Sequence, residues 1–260
     1  MKYILEKNNP VEIWQDLILI LIGALVGFIN TIAGGGSSIL YPTLVFMGMP
    51  IHMAIGTSRV GFVGQGIFSL AGFKSKGVFL FPFNLYVALS ATVGGILGSW
   101  LSLQVSAKNL TKFLAFVMLM IAVLILVQSR LKKQYKQYRI QNKWLYISIP
   151  VYFLIGLYGG FIQAGMGFLI ILSGLLVNHF SLAQANSVKA LIVLFITLPT
   201  LYMFYEKGFV NWEAGFAIAI GTSVGAWITS RWSVKVDEKI VRIIISGVIV
   251  VLSFKLLLYS

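Results

Sequence analysis

Apolar runs long enough to cross a lipid bilayer recur along the whole of this 260-residue chain. Hydrophobic residues make up 58% of the sequence and charged residues only 10%, whereas soluble domains carry about 25% charged residues. A helix needs about 20 apolar residues to cross the hydrocarbon core. Because a lone strand cannot pair its backbone groups in lipid, these runs must be helical. We therefore expect an all-α integral membrane protein.

The apolar runs divide into ten segments, five in each half of the chain. Segments 37–48 and 166–178 are about 18–20 Å long at the α-helical rise, which is too short for a core of about 30 Å. Each of them follows a glycine-rich break. We predict about eight full transmembrane helices and two short half-helices. The ten segments are residues 14–33, 37–48, 53–73, 79–102, 109–128, 144–164, 166–178, 182–205, 212–230 and 238–258.

The two halves repeat each other's motifs. GFINTIAGGG at 27–36 returns loosely as GFIQAGMG at 160–167, and IGTSRV at 55–60 returns as ANSVKA at 185–190. Internal repeats of this kind are typical of transporters, which bind their substrate where the repeats meet. We divide the chain into an N-terminal transmembrane repeat (1–128), a basic linker (129–143) and a C-terminal transmembrane repeat (144–260).

The formal net charge of +13 is concentrated between apolar segments. Six cations and no acid lie in the linker, and Arg231, Lys235, Lys239 and Arg242 form a second group. Short loops rich in Lys and Arg remain in the cytoplasm. The charge therefore predicts a cytoplasmic linker in a multi-pass protein of the inner or plasma membrane. Nucleic acid is not an expected partner, because no basic and aromatic surface domain remains to bind it.

The number of segments per half predicts the orientation of the repeats. Five crossings or re-entries turn the second copy upside down relative to the first. This arrangement places the loop at 74–77 and the group at 231–242 on the cytoplasmic side. The loops at 103–108 and 206–211, which carry fewer cations, lie on the outer side. If the short segments do not reach both faces, the count falls to four and the copies are parallel. We predict inverted repeats, with the parallel arrangement as the alternative.

A single cation falls at the same step of each repeat, Arg59 in the first and Lys189 in the second. A charge at membrane depth is costly and marks a functional pathway by default. Snorkelling to the interface is the alternative for Arg59, which lies about 10–14 Å along its helix from the nearer end. We predict a shared, inward-facing anion site, to which hydroxyl and amide neighbours also contribute: Thr57, Ser58, Asn186 and Ser187.

The glycine-rich breaks are the second candidate feature. A half-helix that begins after a break points amide groups and a positive dipole end at whatever lies there, which suits an anion. A hinge or close-packing point without a ligand is the alternative. Asn30 and Gln163 precede the breaks, where they either bind an oxyanion or cap the broken backbone. The remaining candidates are Gly34, Gly35, Gly36, Ser37, Gly165 and Gly167.

Together these motifs resemble the sulfite exporter TauE/SafE family. GFINTIAGGGSSILYP followed by GMPIHMAIGTSRV, with the degenerate copy GFIQAGMGF and the basic residue of ANSVKA, carry the resemblance, which covers essentially the whole chain. It implies a bacterial-type inner-membrane permease that moves sulfite, sulfonates or similar small oxyanions. The family's basic residues map onto Arg59 and Lys189, and its glycine motifs onto Gly34, Gly35, Gly36, Gly165 and Gly167.

The chain departs from the family pattern at two positions. Many relatives carry an acid where this chain has Asn30, and another where it has Gly159. These differences put proton coupling at those points in doubt. Export needs no coupling ion, since a dianion that leaves a cell at 100 mV, negative inside, gains about 4.6 kcal/mol. We therefore predict a secondary transporter that exports a small anion by alternating access.

An anion channel and a non-transporting scaffold subunit are the alternatives. Saturating flux would argue against a channel, and loss of flux in Arg59→Gln would argue against a scaffold. We predict no enzyme, because the chain has no HExxH or GxxxxGK[ST] motif and no cysteine. No metal or cofactor is expected. The expected partners are the small anion and the lipid bilayer, and a homodimer is an open alternative for the assembly.

Overall fold

The computed structural model describes residues 10–128, 138–141, 143–231 and 238–259. Within these ranges the only regular structure is α-helix. Ten helices correspond one to one with the ten predicted segments, and their ends lie within four residues of the predicted ends. They are α1 (Pro10–Ala33), α2 (Ser37–Phe46), α3 (Ile51–Lys74), α4 (Phe83–Gln104), α5 (Ala107–Gln128), α6 (Lys143–Phe161), α7 (Met166–Leu176), α8 (Leu182–Glu206), α9 (Trp212–Arg231) and α10 (Glu238–Tyr259).

Five of the helices are long and apolar enough to cross a membrane by length and composition. The chain is therefore a multi-pass membrane protein. Among the described residues, length and composition identify five spans, whereas about eight were predicted. α3 is not among the five, because Arg59, Gln65 and several glycines lower its mean hydropathy. Most of the predicted linker, residues 129–137, lies outside the described residues, as does Lys235. The five candidate spans are Trp14–Ala33, Phe83–Gln104, Ala107–Ile125, Lys143–Phe161 and Leu182–Glu206.

The short helices α2 and α7 have 10 and 11 residues. At 1.5 Å per residue they are about 15–17 Å long, roughly half the hydrocarbon core. Most of their side chains are buried inside the protein. The prediction of two half-helices after glycine-rich breaks is confirmed.

Glycine-lined seams join α1 to α9 and α4 to α6. A methyl group on Gly94 would clash with the Phe153 carbonyl of α6, and one on Gly98 would clash with that of Leu157. Residue numbers rise together along the contact, so α4 and α6 run parallel. In the same way, Gly221 meets Ile20 and Gly225 meets Ala24, so α1 and α9 run parallel. Small residues allow membrane helices to approach this closely.

Helix α3 lies between α8 and α9. It runs parallel to α9 and antiparallel to α8. Along α9, Gly61 meets Ile218 and Gly72 meets Ser230, which makes α3 and α9 parallel. Along α8, Arg59 contacts Thr200 whereas Gly66 contacts Leu194, which makes α3 and α8 antiparallel. These contacts place the centres of α3 and α8 beside the breaks that precede α2 and α7.

We expect Gly160→Ala to lower the thermal stability of the purified protein. Its new methyl group would collide with the Gly95 carbonyl oxygen in the α4–α6 seam, and overpacking of this kind costs about 1–3 kcal/mol. Gly247→Ala is the matched control, because nothing lies within 4 Å of the methyl group that it adds to α10. Thermal melting in detergent measures both variants, and equal melting temperatures would refute the tight seam.

Candidate functional site

The two glycine-rich breaks meet each other in the interior. The Phe168 amide donates a hydrogen bond to the Gly34 carbonyl oxygen at 3.2 Å. The Ser37 hydroxyl accepts from the Gly165 amide at 2.9 Å and donates to the Gln163 carbonyl at 3.0 Å. Gly34 and Gly165 have φ of 78° and 65°, a left-handed conformation that glycine adopts without strain. The short helices α2 and α7 therefore begin side by side, although they come from different halves of the chain.

A narrow cavity lies between the two helix starts. Four of the predicted site residues line it, namely Asn30, Ser37, Gln163 and Gly167. Three apolar side chains complete the wall, and sequence reasoning did not single them out: Phe62, Met166 and Val193.

The backbone amides at this cavity are suited to a negative ligand. Among the hydrogen bonds of the described residues, none engages the N–H group of Ser37 or of Gly167. Both N–H groups belong to the first turn of a helix, where amides have no intrahelical partner and the dipole end is positive. Two such ends at one cavity, with no acidic side chain in its wall, have the chemistry that binds anions at helix N-termini.

Arg59 is completely buried, with 0% of its surface exposed. Its Nη1 atom donates to Thr200 Oγ1 at 2.5 Å and to Gln163 Oε1 at 3.3 Å. Its Nη2 atom donates to the Gly160 carbonyl at 2.7 Å and to Ser99 Oγ at 3.4 Å. All four acceptors are neutral, so no carboxylate among them cancels the guanidinium charge. The Nε atom is buried without a partner.

Lys189 is also buried, with 2% of its surface exposed. Its Nζ atom donates to the carbonyl oxygens of Asn30 and Thr31 at 2.7 and 3.0 Å, and to Asn186 Oδ1 at 2.5 Å. A methyl group on Gly167 would lie 3.1 Å from Lys189 Cδ, so the side chain passes directly beside the cavity. Neither cation snorkels to the interface.

Asn30 lines the cavity. Its Nδ2 atom donates to Gln65 Oε1 at 3.0 Å, while Oδ1 is buried without a partner. Rotating both amides by 180° exchanges donor for acceptor, so that the unpartnered atom of Asn30 becomes its N–H group. Asn30 can therefore present a donor to an anion. Gln163 Nε2 donates to Thr197 Oγ1 at 3.2 Å, and its Oε1 accepts from Arg59.

The hydroxyl neighbours of the two cations have separate roles in the structure. The Thr57 hydroxyl accepts from the Asn211 amide at 2.9 Å, near the start of α9. Ser58 donates to the Ile55 carbonyl of its own helix at 2.9 Å. Ser187 is buried without a partner for its hydroxyl. None of these three lines the cavity.

The remaining candidate glycines shape the backbone around the breaks. Gly35 and Gly36 accept hydrogen bonds from Ser38 and Ile39, in the first turn of α2. A methyl group on Gly36 would lie 2.9 Å from Asn30 Cβ, so a larger residue would disturb the cavity wall.

Sequence reasoning missed three hydroxyl residues that hold the polar network together, Ser99, Thr197 and Thr200. The two threonines follow Lys189 at i+8 and i+11 on α8, on the same helical face. That spacing was a usable signal for the threonines. Ser99 follows Gly98 in the α4 seam, and its contact with Arg59 depends on α3 and α4 both packing against α8.

Comparisons with known proteins agree with these observations. The family described as "Sulfite exporter TauE/SafE" matches residues 19–256. A probable membrane transporter protein of Haemophilus influenzae is 26% identical over 245 residues, which are 94% of each chain. The probable membrane transporter protein YfcA of Escherichia coli K12 is 29% identical over 92% of this chain and 88% of the relative. No solved structure matches the chain significantly.

Proposed function

The chain belongs to the TauE/SafE family of sulfite exporters, and on that premise we propose that it exports a small anion such as sulfite, a sulfonate or a related oxyanion. The observation that carries the proposal is the shared start of α2 and α7. Two helix N-termini, from different halves of the chain, converge on one cavity with unengaged amides at Ser37 and Gly167.

The chemistry of the wall supports an oxyanion as the substrate. Amide N–H groups bind oxyanions through several short hydrogen bonds, and the dipoles of α2 and α7 add positive potential. Arg59 and Lys189 raise that potential further, because their partners are neutral oxygens. Asn30 and Gln163 complete the wall as neutral polar groups. We assign the direct contacts to the amides, and the long-range attraction to the two cations.

We propose alternating access by two inverted repeats, residues 1–128 and 144–260. The helix directions support this arrangement. α1 and α3 run parallel to α9, α4 runs parallel to α6, and α3 runs opposite to α8. Since α3 and α8 are equivalent elements of the repeats, opposite directions are expected of inverted copies and not of parallel ones. In this arrangement the helices other than α2 and α7 give eight spans, and the substrate binds where the repeats meet.

The proposed orientation in the membrane follows from the charged helix ends. α3 ends near Lys74 and α9 ends at Arg231, and their parallel direction brings both ends to one face. The positive-inside rule makes that face cytoplasmic. The linker would then lie on the same face of the inner or plasma membrane.

Export is the direction that the electrostatics favours. Each negative charge that leaves a cell with 100 mV across its membrane gains about 2.3 kcal/mol. A dianion gains about twice that amount, so efflux requires no coupling ion.

Alternating access also predicts that the rate of efflux saturates as internal sulfite rises, whereas the flux through a channel would keep rising. A scaffold subunit would give none.

We expect Asn30→Asp to weaken sulfite binding at least about tenfold, or about 1.4 kcal/mol. A carboxylate at this wall opposes the potential of Lys189 and repels the anion, since two unit charges about 4 Å apart interact by about 4 kcal/mol at an effective dielectric constant of 20. Stabilisation of purified protein by sulfite in a thermal-shift titration measures the effect. Parallel titrations with sulfate, thiosulfate, taurine, sulfoacetate and acetate rank the substrate classes.

Asn211→Asp is the matched control for this substitution. It makes the same chemical change near the start of α9, where the Asn211 side chain already accepts a hydrogen bond from the Ala214 amide. We expect its sulfite titration to match the wild type. If Asn30→Asp also binds sulfite with wild-type affinity, the cavity is not the anion site.

A further inference from the structure

The Lys189 ammonium sits at the buried C-terminal end of α1. The carbonyls in the last turn of a helix carry the negative end of its dipole, and most of them lack an intrahelical partner. Here the Asn30 carbonyl also accepts a hydrogen bond from the Gly34 amide at 3.0 Å. α1 ends at Ala33, so the carbonyls of Asn30 and Thr31 belong to this last turn. With Asn186 Oδ1 they form a set of three oxygens at 2.5–3.0 Å around one nitrogen. An ammonium has three hydrogens, and all three are donated here.

This oxygen set has the chemistry of a cation site. Broken membrane helices commonly coordinate a free cation with the carbonyls at their C-terminal ends. Here a side chain from α8 supplies the positive charge from within the protein. The partners are two carbonyls and one amide oxygen, so no acidic group competes for the charge. The end of α6 also binds a cationic side chain. Arg59 of α3 donates a hydrogen bond to the Gly160 carbonyl in the last turn of α6.

We propose that the end of α1 is a monovalent-cation site that Lys189 fills permanently with its own ammonium group. The protein therefore carries in its chain the charge that a free coupling cation would otherwise bring. Removing the side chain down to Cβ empties the oxygen set and leaves it available to a small cation from solution. Replacing Lys189 with an uncharged side chain of similar length fills the same space, so that no cation can enter the oxygen set.

Lys189→Ala and Lys189→Met test the proposal as a matched pair. Each purified variant, and the wild type, is melted in sodium, potassium or choline chloride at one ionic strength. We expect the wild type and Lys189→Met to melt at the same temperature in all three salts. Lys189→Ala should melt higher in the sodium or potassium salt than in the choline salt, by about 2–5 °C at saturation. No substrate anion is present, so the result is independent of the transport proposal.

Propylammonium chloride provides a second measurement, because it is the group that Lys189→Ala deletes. We expect it to raise the melting temperature of Lys189→Ala in choline chloride and to leave Lys189→Met unchanged. It also allows Lys189→Ala to be purified if the empty site prevents folding. The proposal is overturned if Lys189→Ala melts at one temperature in every salt, with and without propylammonium. A wild type that is itself stabilised specifically by sodium or potassium would overturn it as well.

Discussion

Replacing Arg59 with methionine is expected to reduce sulfite efflux from proteoliposomes to less than about a tenth of the wild-type rate. The guanidinium group joins α3 to three other helices, through Ser99 on α4, Gly160 on α6 and Thr200 on α8. A hydrogen bond to a charged group contributes about 1.5–3 kcal/mol, and each buried acceptor left unpaired costs about 1–3 kcal/mol. Loss of the charge also lowers the positive potential at the cavity. We expect the lost hydrogen bonds and the lost potential together to cost more than about 1.4 kcal/mol, which corresponds to a tenfold effect.

Arg231→Met is the control for Arg59→Met. Arg231 is exposed at the end of α9, where its guanidinium lies 4.6 Å from the centre of the Trp227 ring. Its removal deletes the same charge without touching the cavity, and efflux should stay within about twofold of the wild type. Arg59→Lys should fall between the two, because an ammonium cannot reproduce the planar fork of four hydrogen bonds. Wild-type efflux by Arg59→Met would remove this residue from the mechanism.

Gly34→Ala is expected to destabilise the protein by about 2–5 kcal/mol, by combining backbone strain with overpacking. The residue has φ of 78°, and its added methyl group would clash with the backbone between Gly167 and Phe168. The collision would force the two breaks apart and break the Phe168–Gly34 hydrogen bond. Sulfite should no longer stabilise this variant, because the starts of α2 and α7 would no longer face one cavity. Thermal melting with and without sulfite measures both effects.

Gly208→Ala separates strain from collision. Gly208 has φ of 72° in the α8–α9 loop, and nothing lies within 4 Å of the methyl group that alanine would add. It should cost only the left-handed strain of about 1–2 kcal/mol, and stabilisation by sulfite should be retained. If Gly34→Ala melts like Gly208→Ala and still responds to sulfite, close contact between the breaks is not required.

The helices were predictable because a bilayer limits what an apolar segment can do. Segment length and the glycine-rich breaks predicted the ten elements to within four residues, including the two short ones. The break before α7 begins earlier than predicted, since α6 ends at Phe161 and Gln163 has φ of 57°. A left-handed glutamine is uncommon and depends on its surroundings. Here the Ser37 hydroxyl from the other half donates to its carbonyl oxygen.

The site was predictable only in part, because its contacts cross between the halves. Burial of Arg59 and Lys189 followed from their place in the repeats, but their partners did not. Serine and threonine hydroxyls occur throughout the chain, and only the docking of α8 on α3 selects Thr200 for Arg59. Ser37 also makes contacts between the halves that its sequence position did not predict. Its hydroxyl bridges the two breaks, since it accepts from the Gly165 amide and donates to the Gln163 carbonyl.

An anomalous-scattering map of crystals grown with selenite tests the central claim most directly. Selenite has the shape and charge of sulfite, and selenium marks its position without reference to any assay. The proposed site predicts one dominant selenium peak in the cavity, within hydrogen-bond reach of the Ser37 and Gly167 amides. Density there that vanishes in Asn30→Asp would agree with the proposal. Selenium found only at the basic cytoplasmic surface, with the cavity empty, would contradict it.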